Sequence, residues 1–148
     1  MRLLATILIL MSCFFVQAQD LVLKGRIITE DFEALPKANI YNQNNQLLGM
    51  TDIEGNFEIS ISKEFTKLNV SFVGMEPAVI ELYDDCDFVE IIVMTETHYD
   101  FMSSKKVDRL RMKRFKKLPE LHKEAFEKGI FITDKACYTQ EFVPYFNK

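Results

Sequence analysis

Histidine is scarce. His98 and His122 are the only two, and they lie on different segments without a companion set of cysteines or carboxylates at ligand spacing. That argues against a zinc or copper centre, which needs several nitrogen or sulfur donors brought to one point. No serine occupies a Gly-x-Ser-x-Gly elbow, and no cysteine can be paired with a histidine on spacing alone, so nucleophilic catalysis has no recognisable apparatus. A P-loop and a dinucleotide-binding fingerprint are both missing. No catalytic, cofactor-binding or metal-ligating residues are expected, and the chain reads as a non-enzyme. A hydrolase with an unrecognised site is the alternative from a different class. Long apolar runs are also missing, except at the N-terminus.

That exception is informative. Met1-Arg2 is a short positive start, residues 3–16 are mainly apolar, and Val16-Gln17-Ala18 offers small residues for cleavage. This is the anatomy of a secretory signal peptide, so residues 1–18 are expected to be removed. The competing reading takes Leu10-Met11-Ser12-Cys13 as a lipid-attachment box. Beyond it no stretch reaches spanning length, so no transmembrane segment is expected after cleavage. The expected location is periplasmic or extracellular, with outer-membrane association as an option. Loss of Cys13 would leave Cys86 and Cys137, an even count suited to an oxidising compartment. A bridge between them would close a loop of about fifty residues; two unpaired thiols are the other reading.

Apolar runs recur after the leader at 21–29, 38–42, 47–51, 56–61, 67–73, 78–83 and 88–95. Seven short runs at near-regular spacing predict an all-β fold, a seven-stranded antiparallel Greek-key sandwich of the Ig-like kind. Two-residue alternation puts Phe57, Ile59 and Ile61 on one face, opposite Glu58 and Ser60, and repeats in Leu68, Val70 and Phe72. The turns have chemistry of their own. Asp52 supplies an Asx side chain and Gly55 a permissive φ, Gly74 lets the chain turn after Val73, and Gly25 permits a bulge or a close approach. Asp52, Glu54 and Asn56 alternate oxygens as in a calcium loop, but the twelve-residue pattern with its terminal glutamate is missing. A turn is the better reading there, as a solvated loop is for Asp84, Asp85 and Asp87.

Gly25-Arg26-Ile27, Leu35-Pro36-Lys37-Ala38-Asn39-Ile40, the run from Thr51 through Asp52 and Gly55 to Phe57, and the run from Leu68 to Gly74 follow one another in an order that resembles the carboxypeptidase regulatory-like domain. The likeness covers residues 21–95. It implies a transthyretin-like sandwich used as an accessory part of exported bacterial machines, beside TonB-dependent receptors or peptidases. Met75 departs from it, standing where the family usually has an aromatic. About fifty residues follow the last expected strand, too few for a plug, a barrel or a protease, so the module is expected to be produced alone. A purine-pathway hydrolase shares this fold class, but the Tyr-Arg-Gly-Ser ending it requires is replaced here by Tyr145-Phe146-Asn147-Lys148.

Charge divides the chain. Residues 19–97 carry 5 Lys/Arg against 15 Asp/Glu, a net of −10, whereas residues 98–148 carry 12 against 7, a net of +5. These spans are the expected sandwich and a separate basic, helical and aromatic C-terminal region. A basic helix is expected over 103–117, with Lys105, Lys106, Arg109, Arg111, Lys113, Arg114, Lys116 and Lys117 as an anionic-partner surface. Pro119 and Glu120 suit the start of a second helix, Glu124 and Lys128 pair across a turn, and Gly129 stops it. Its apolar stripe is read as Leu121, Ala125 and Phe126, which makes His122 a surface residue. Phe131, Tyr138, Phe142, Tyr145 and Phe146 are expected to anchor the tail on the sandwich. Export disfavours nucleic acid as a partner. The basic run is left with three readings: anionic lipid, the acidic sandwich or a similar envelope protein, and a solvated helix face.

Overall fold

The alternating segments do form strands. The computed structural model describes residues 20–145, so the signal peptide reading of 1–18, the lipid box at Cys13 and the anchor at Phe146 lie outside the described residues. The strands are β1 (Asp20–Thr29), β2 (Asn39–Asn42), β3 (Leu47–Met50), β4 (Asn56–Ser62), β5 (Lys67–Ser71), β6 (Ala78–Leu82) and β7 (Phe88–Val93). Two helices follow, α1 (Ser104–Phe115) and α2 (Leu118–Glu127), and then β8 (Tyr138–Glu141). One sheet has the order β4-β1-β7 and the other β3-β2-β5-β6-β8.

Two features correct the seven-stranded antiparallel expectation. An eighth strand comes from the tail, pairing antiparallel with β6 from Val79 opposite Glu141 to Leu82 opposite Tyr138. The β1–β7 pair is parallel, from Lys24 opposite Phe88 to Thr29 opposite Val93. A parallel neighbour needs a long crossover, and here the intervening chain builds most of the other sheet first.

Period-two patterning decides what is buried. Leu23 and Ile27 of β1, Phe57, Ile59 and Ile61 of β4, Leu68 and Val70 of β5, and Val89 and Ile91 of β7 enter one core shared by both sheets. Gly25 marks a close approach rather than a bulge: a Cβ there would lie 2.1 Å from the Val89 carbonyl oxygen and 2.7 Å from the Phe57 ring. At the turn before β4, Asp52 Oδ1 accepts the amides of Glu54 (2.9 Å) and Asn56 (2.8 Å), while Gly55 takes φ 80°. The Asp52 carboxylate is therefore engaged in shaping the corner. Gly74 also has φ 80°.

The far face of β1 and β7 is not left to water. Ile28, Ile92 and Met94 pack against Leu118, Ala125 and Phe131 from the α2 region, forming a second apolar cluster. Helices thus make a third layer over the three-stranded sheet, which explains why β7 is nearly continuously apolar. Cys86 and Cys137 are joined in a disulfide beside the entry to β8. The tail is part of the folded body.

Candidate functional site

α1 presents two faces of different chemistry, and its sequence spacing sets both. Arg111 and Arg114 are three residues apart and point with Val107 toward the sheets. Arg111 is 2% exposed, and its Nη2 lies 2.9 Å from Oε2 of Glu76, itself 3% exposed. Arg111 Nη1 reaches Asp108 Oδ1 at 2.9 Å. The guanidinium lies against the rings of Tyr145 (3.7 Å) and Phe142 (5.1 Å). Burial works against its charge, but Glu76 and Asp108 outweigh that and hold it above its ordinary value. Arg114 pairs with Glu30 and donates to the Thr95 carbonyl (2.8 Å) and the Thr97 hydroxyl (3.0 Å). Its Nη1 also comes within 3.6 Å of Glu76 Oε1. Burial again opposes the Arg114 charge, and Glu30 and Tyr99 overcome it. These two arginines fasten the helix to the sandwich. They are corrections to the expected anionic-partner surface, because their partners are carboxylates of the same chain.

The other six expected cations are where the sequence put them. Lys105, Lys106, Arg109, Lys113, Lys116 and Lys117 are all exposed, and none forms an ion pair with a described carboxylate. At 100° per residue they fall within an arc of about 120°, with Lys116 and Lys117 one and two residues past the end of α1 in backbone that is still right-handed helical. Lys105, Arg109, Lys113 and Lys117 make one ridge at i, i+4 spacing, which Lys106 and Lys116 flank. No acidic residue lies on this arc, since Asp108 is turned to Arg111. Chemically, the face is a fixed row of cationic donors about 18 Å long.

A second, inner site joins the tail to β7. Glu90 is buried within an otherwise apolar strand. Its Oε1 accepts the Ile132 amide (2.7 Å), and its Oε2 accepts the amide (2.9 Å) and hydroxyl (2.7 Å) of Thr133. The Tyr138 hydroxyl donates to the Glu90 carbonyl at 2.8 Å. Burial first, and then Glu90, push the Tyr138 phenol above its ordinary range. His122 is buried too, which corrects the helix-surface reading. Its ring lies 4.8 Å from that of Phe131, and its Nε2 is 3.1 Å from the Thr133 carbonyl oxygen. Nδ1 has no hydrogen-bond partner among the described residues. Burial lowers the His122 pKa against the opposing pull of Glu90, the Thr133 carbonyl and Asp134. His122 also lines a cavity of about 270 Å³ with Leu118, Ala136 and Tyr138.

The sequence reading missed Glu30, Glu76 and Glu90, the three carboxylates that receive the tail. Glu90 did carry a signal, a lone charge in the run Phe88-Val89-Glu90-Ile91-Ile92-Val93. Among the described residues, no group of three or more His, Cys, Asp or Glu side chains is arranged to hold a metal. No helix among them is long and apolar enough to cross a membrane.

Residues 23–101 match the family model of the CarboxypepD_reg-like domain, and the match stops just before α1. A comparison with curated proteins returns no match. Domains of this family are regulatory, non-catalytic modules. With more than half of its length covered by that match, the chain belongs to the carboxypeptidase regulatory-like domain family.

Proposed function

We propose that the protein is an exported, non-enzymatic binding or scaffolding module of the bacterial cell envelope, built on a transthyretin-like sandwich, which holds an anionic partner on the outer face of α1. One observation carries this reading. Six cations share one exposed helix face without a counter-charge among the described residues, while the two inward arginines are paired with Glu76, Asp108 and Glu30. A helix needed only to cover the sheet would not require that outer row. The sandwich supplies a rigid base, and the buried ion pairs fix the row before any partner arrives, which lowers the ordering cost of binding. The signal peptide anatomy and the disulfide support export.

Retention on an immobilised polyanion such as polyphosphate tests the reading. The chain has a formal net charge of −4, so retention at low salt has to come from a local patch rather than overall charge. Wild type is expected to be retained and to elute with salt. Replacement of all six cations by Gln is expected to abolish retention. No retention of wild type, or equal retention of both proteins, would overturn the proposal. Turnover in a broad ester and peptide substrate screen would instead favour a hydrolase.

A further inference from the structure

We infer that the occupant of the α1 outer face is the surface of an anionic phospholipid bilayer, an inference that rests on the anion-binding reading above. The make-up of the face favours lipid over protein. Five of its six cations are lysines. Lysine is depleted at protein–protein interfaces, where arginine and aromatic anchors concentrate, but it suits phosphate as a mobile point charge. The arc has no apolar residue among its cations that could act as a hot spot.

Two further features support this assignment. Lys105 and Lys106 occupy the first turn of α1, which has no acidic residue and no side-chain cap. Cations at that end oppose the helix dipole, so the fold itself gains nothing from them there. Just ahead of the helix, Phe101 is fully exposed and has φ 59°, and Met102 is also exposed. A bulky residue held in the left-handed region and open to solvent is strained without a packing reason. An apolar residue beside a polybasic row is the two-part arrangement that retains proteins at anionic membrane surfaces. The acidic sandwich, with its net of −10 over 19–97, would be repelled by the same surface, so binding is oriented with α1 toward the lipid.

The test uses the chain from residue 19 and flotation with phosphatidylcholine vesicles, with and without phosphatidylglycerol. Binding is expected only when phosphatidylglycerol is present, and it should be lost at high salt. Each Lys→Gln step on the arc should weaken it about fivefold at low salt. The chain has no tryptophan, so Phe101→Trp supplies a lone indole reporter. Its emission should shift to the blue with phosphatidylglycerol vesicles but not with soluble polyphosphate. Retention on polyphosphate without vesicle binding would overturn the lipid assignment, leave the anion-binding face standing and point to an acidic protein. Failure of both assays would remove both. Equal binding to the two vesicle types, or an indole that stays in water, would also refute the inference.

Discussion

Arg111→Met breaks the contact on which the placement of α1 depends. It removes the hydrogen-bonded partner of Glu76 from a site where the two side chains are 2% and 3% exposed, and leaves only the longer 3.6 Å contact from Arg114. Leaving one member of a buried pair uncompensated costs about 3–5 kcal/mol. The lost contact with the Tyr145 ring, 3.7 Å away, adds no more than about 1 kcal/mol because that ring is half exposed. Asp108 loses less, since it still accepts the Tyr145 amide at 2.9 Å. The expected loss is therefore about 4 kcal/mol, equivalent to a fall in Tm on the order of 15 °C for a domain of this size. Urea unfolding, with the midpoint and slope fitted for each variant, measures it. The double variant Glu76→Leu with Arg111→Met restores an apolar pair of similar volume and should recover most of the loss. A single substitution costing under about 1 kcal/mol, or a double variant as unstable as the single, would refute the reasoning.

Acid should destabilise the fold through His122. Its folded pKa lies below the unfolded value, so the unfolded chain takes up the proton first; stability is full above the unfolded pKa near 6.5 and declines as pH falls from there toward the folded value. Thermal scans across that range should show the decline in wild type and a flatter profile in His122→Gln. Joint replacement of Cys86 and Cys137 by Ser opens a bridge with a sequence separation of 51, and loop entropy sets the loss at about 4 kcal/mol, read as a lower urea midpoint. Glu90→Ala leaves the Ile132 and Thr133 amides without their acceptor and should cost about 3 kcal/mol. Glu90→Gln, which keeps an acceptor oxygen, should cost less, and faster amide exchange at Ile132 and Thr133 in Glu90→Ala would report the same loss locally.

β4, β5 and β6 were legible because their burial follows the two-residue period, whereas β7 was legible as a nearly continuous apolar run. Phe57, Ile59 and Ile61 are buried, and Glu58 and Ser60 are exposed. β8 was not legible in that way. Tyr138-Thr139-Gln140-Glu141 has one buried anchor, and it is a strand because β6 offers a free edge and Cys86 holds its neighbour Cys137. The second helix was placed correctly, including Gly129 at φ 71° and the Glu124–Lys128 pair at 2.7 Å. Its buried stripe was rotated by about one position: Leu118, His122 and Ala125 face inward, and Phe126 is exposed. Aromatic packing on Phe131 and the Thr133 carbonyl draw the imidazole in, and neither is a local signal. In the candidate site, the row of cations could be read from spacing, but the division between inner and outer members could not. Arg111 and Arg114 turn inward because of Glu76, 35 residues away, and Glu30, 84 residues away.

Amine-labelling mass spectrometry with and without bound polyphosphate tests the central claim most directly, because it reads each lysine separately. The account predicts slowed labelling at Lys105, Lys106, Lys113, Lys116 and Lys117, with Lys37 and Lys63 of the sandwich unchanged, all seven being exposed in the free protein. Protection spread evenly over the chain, or centred on the sandwich lysines, would contradict it.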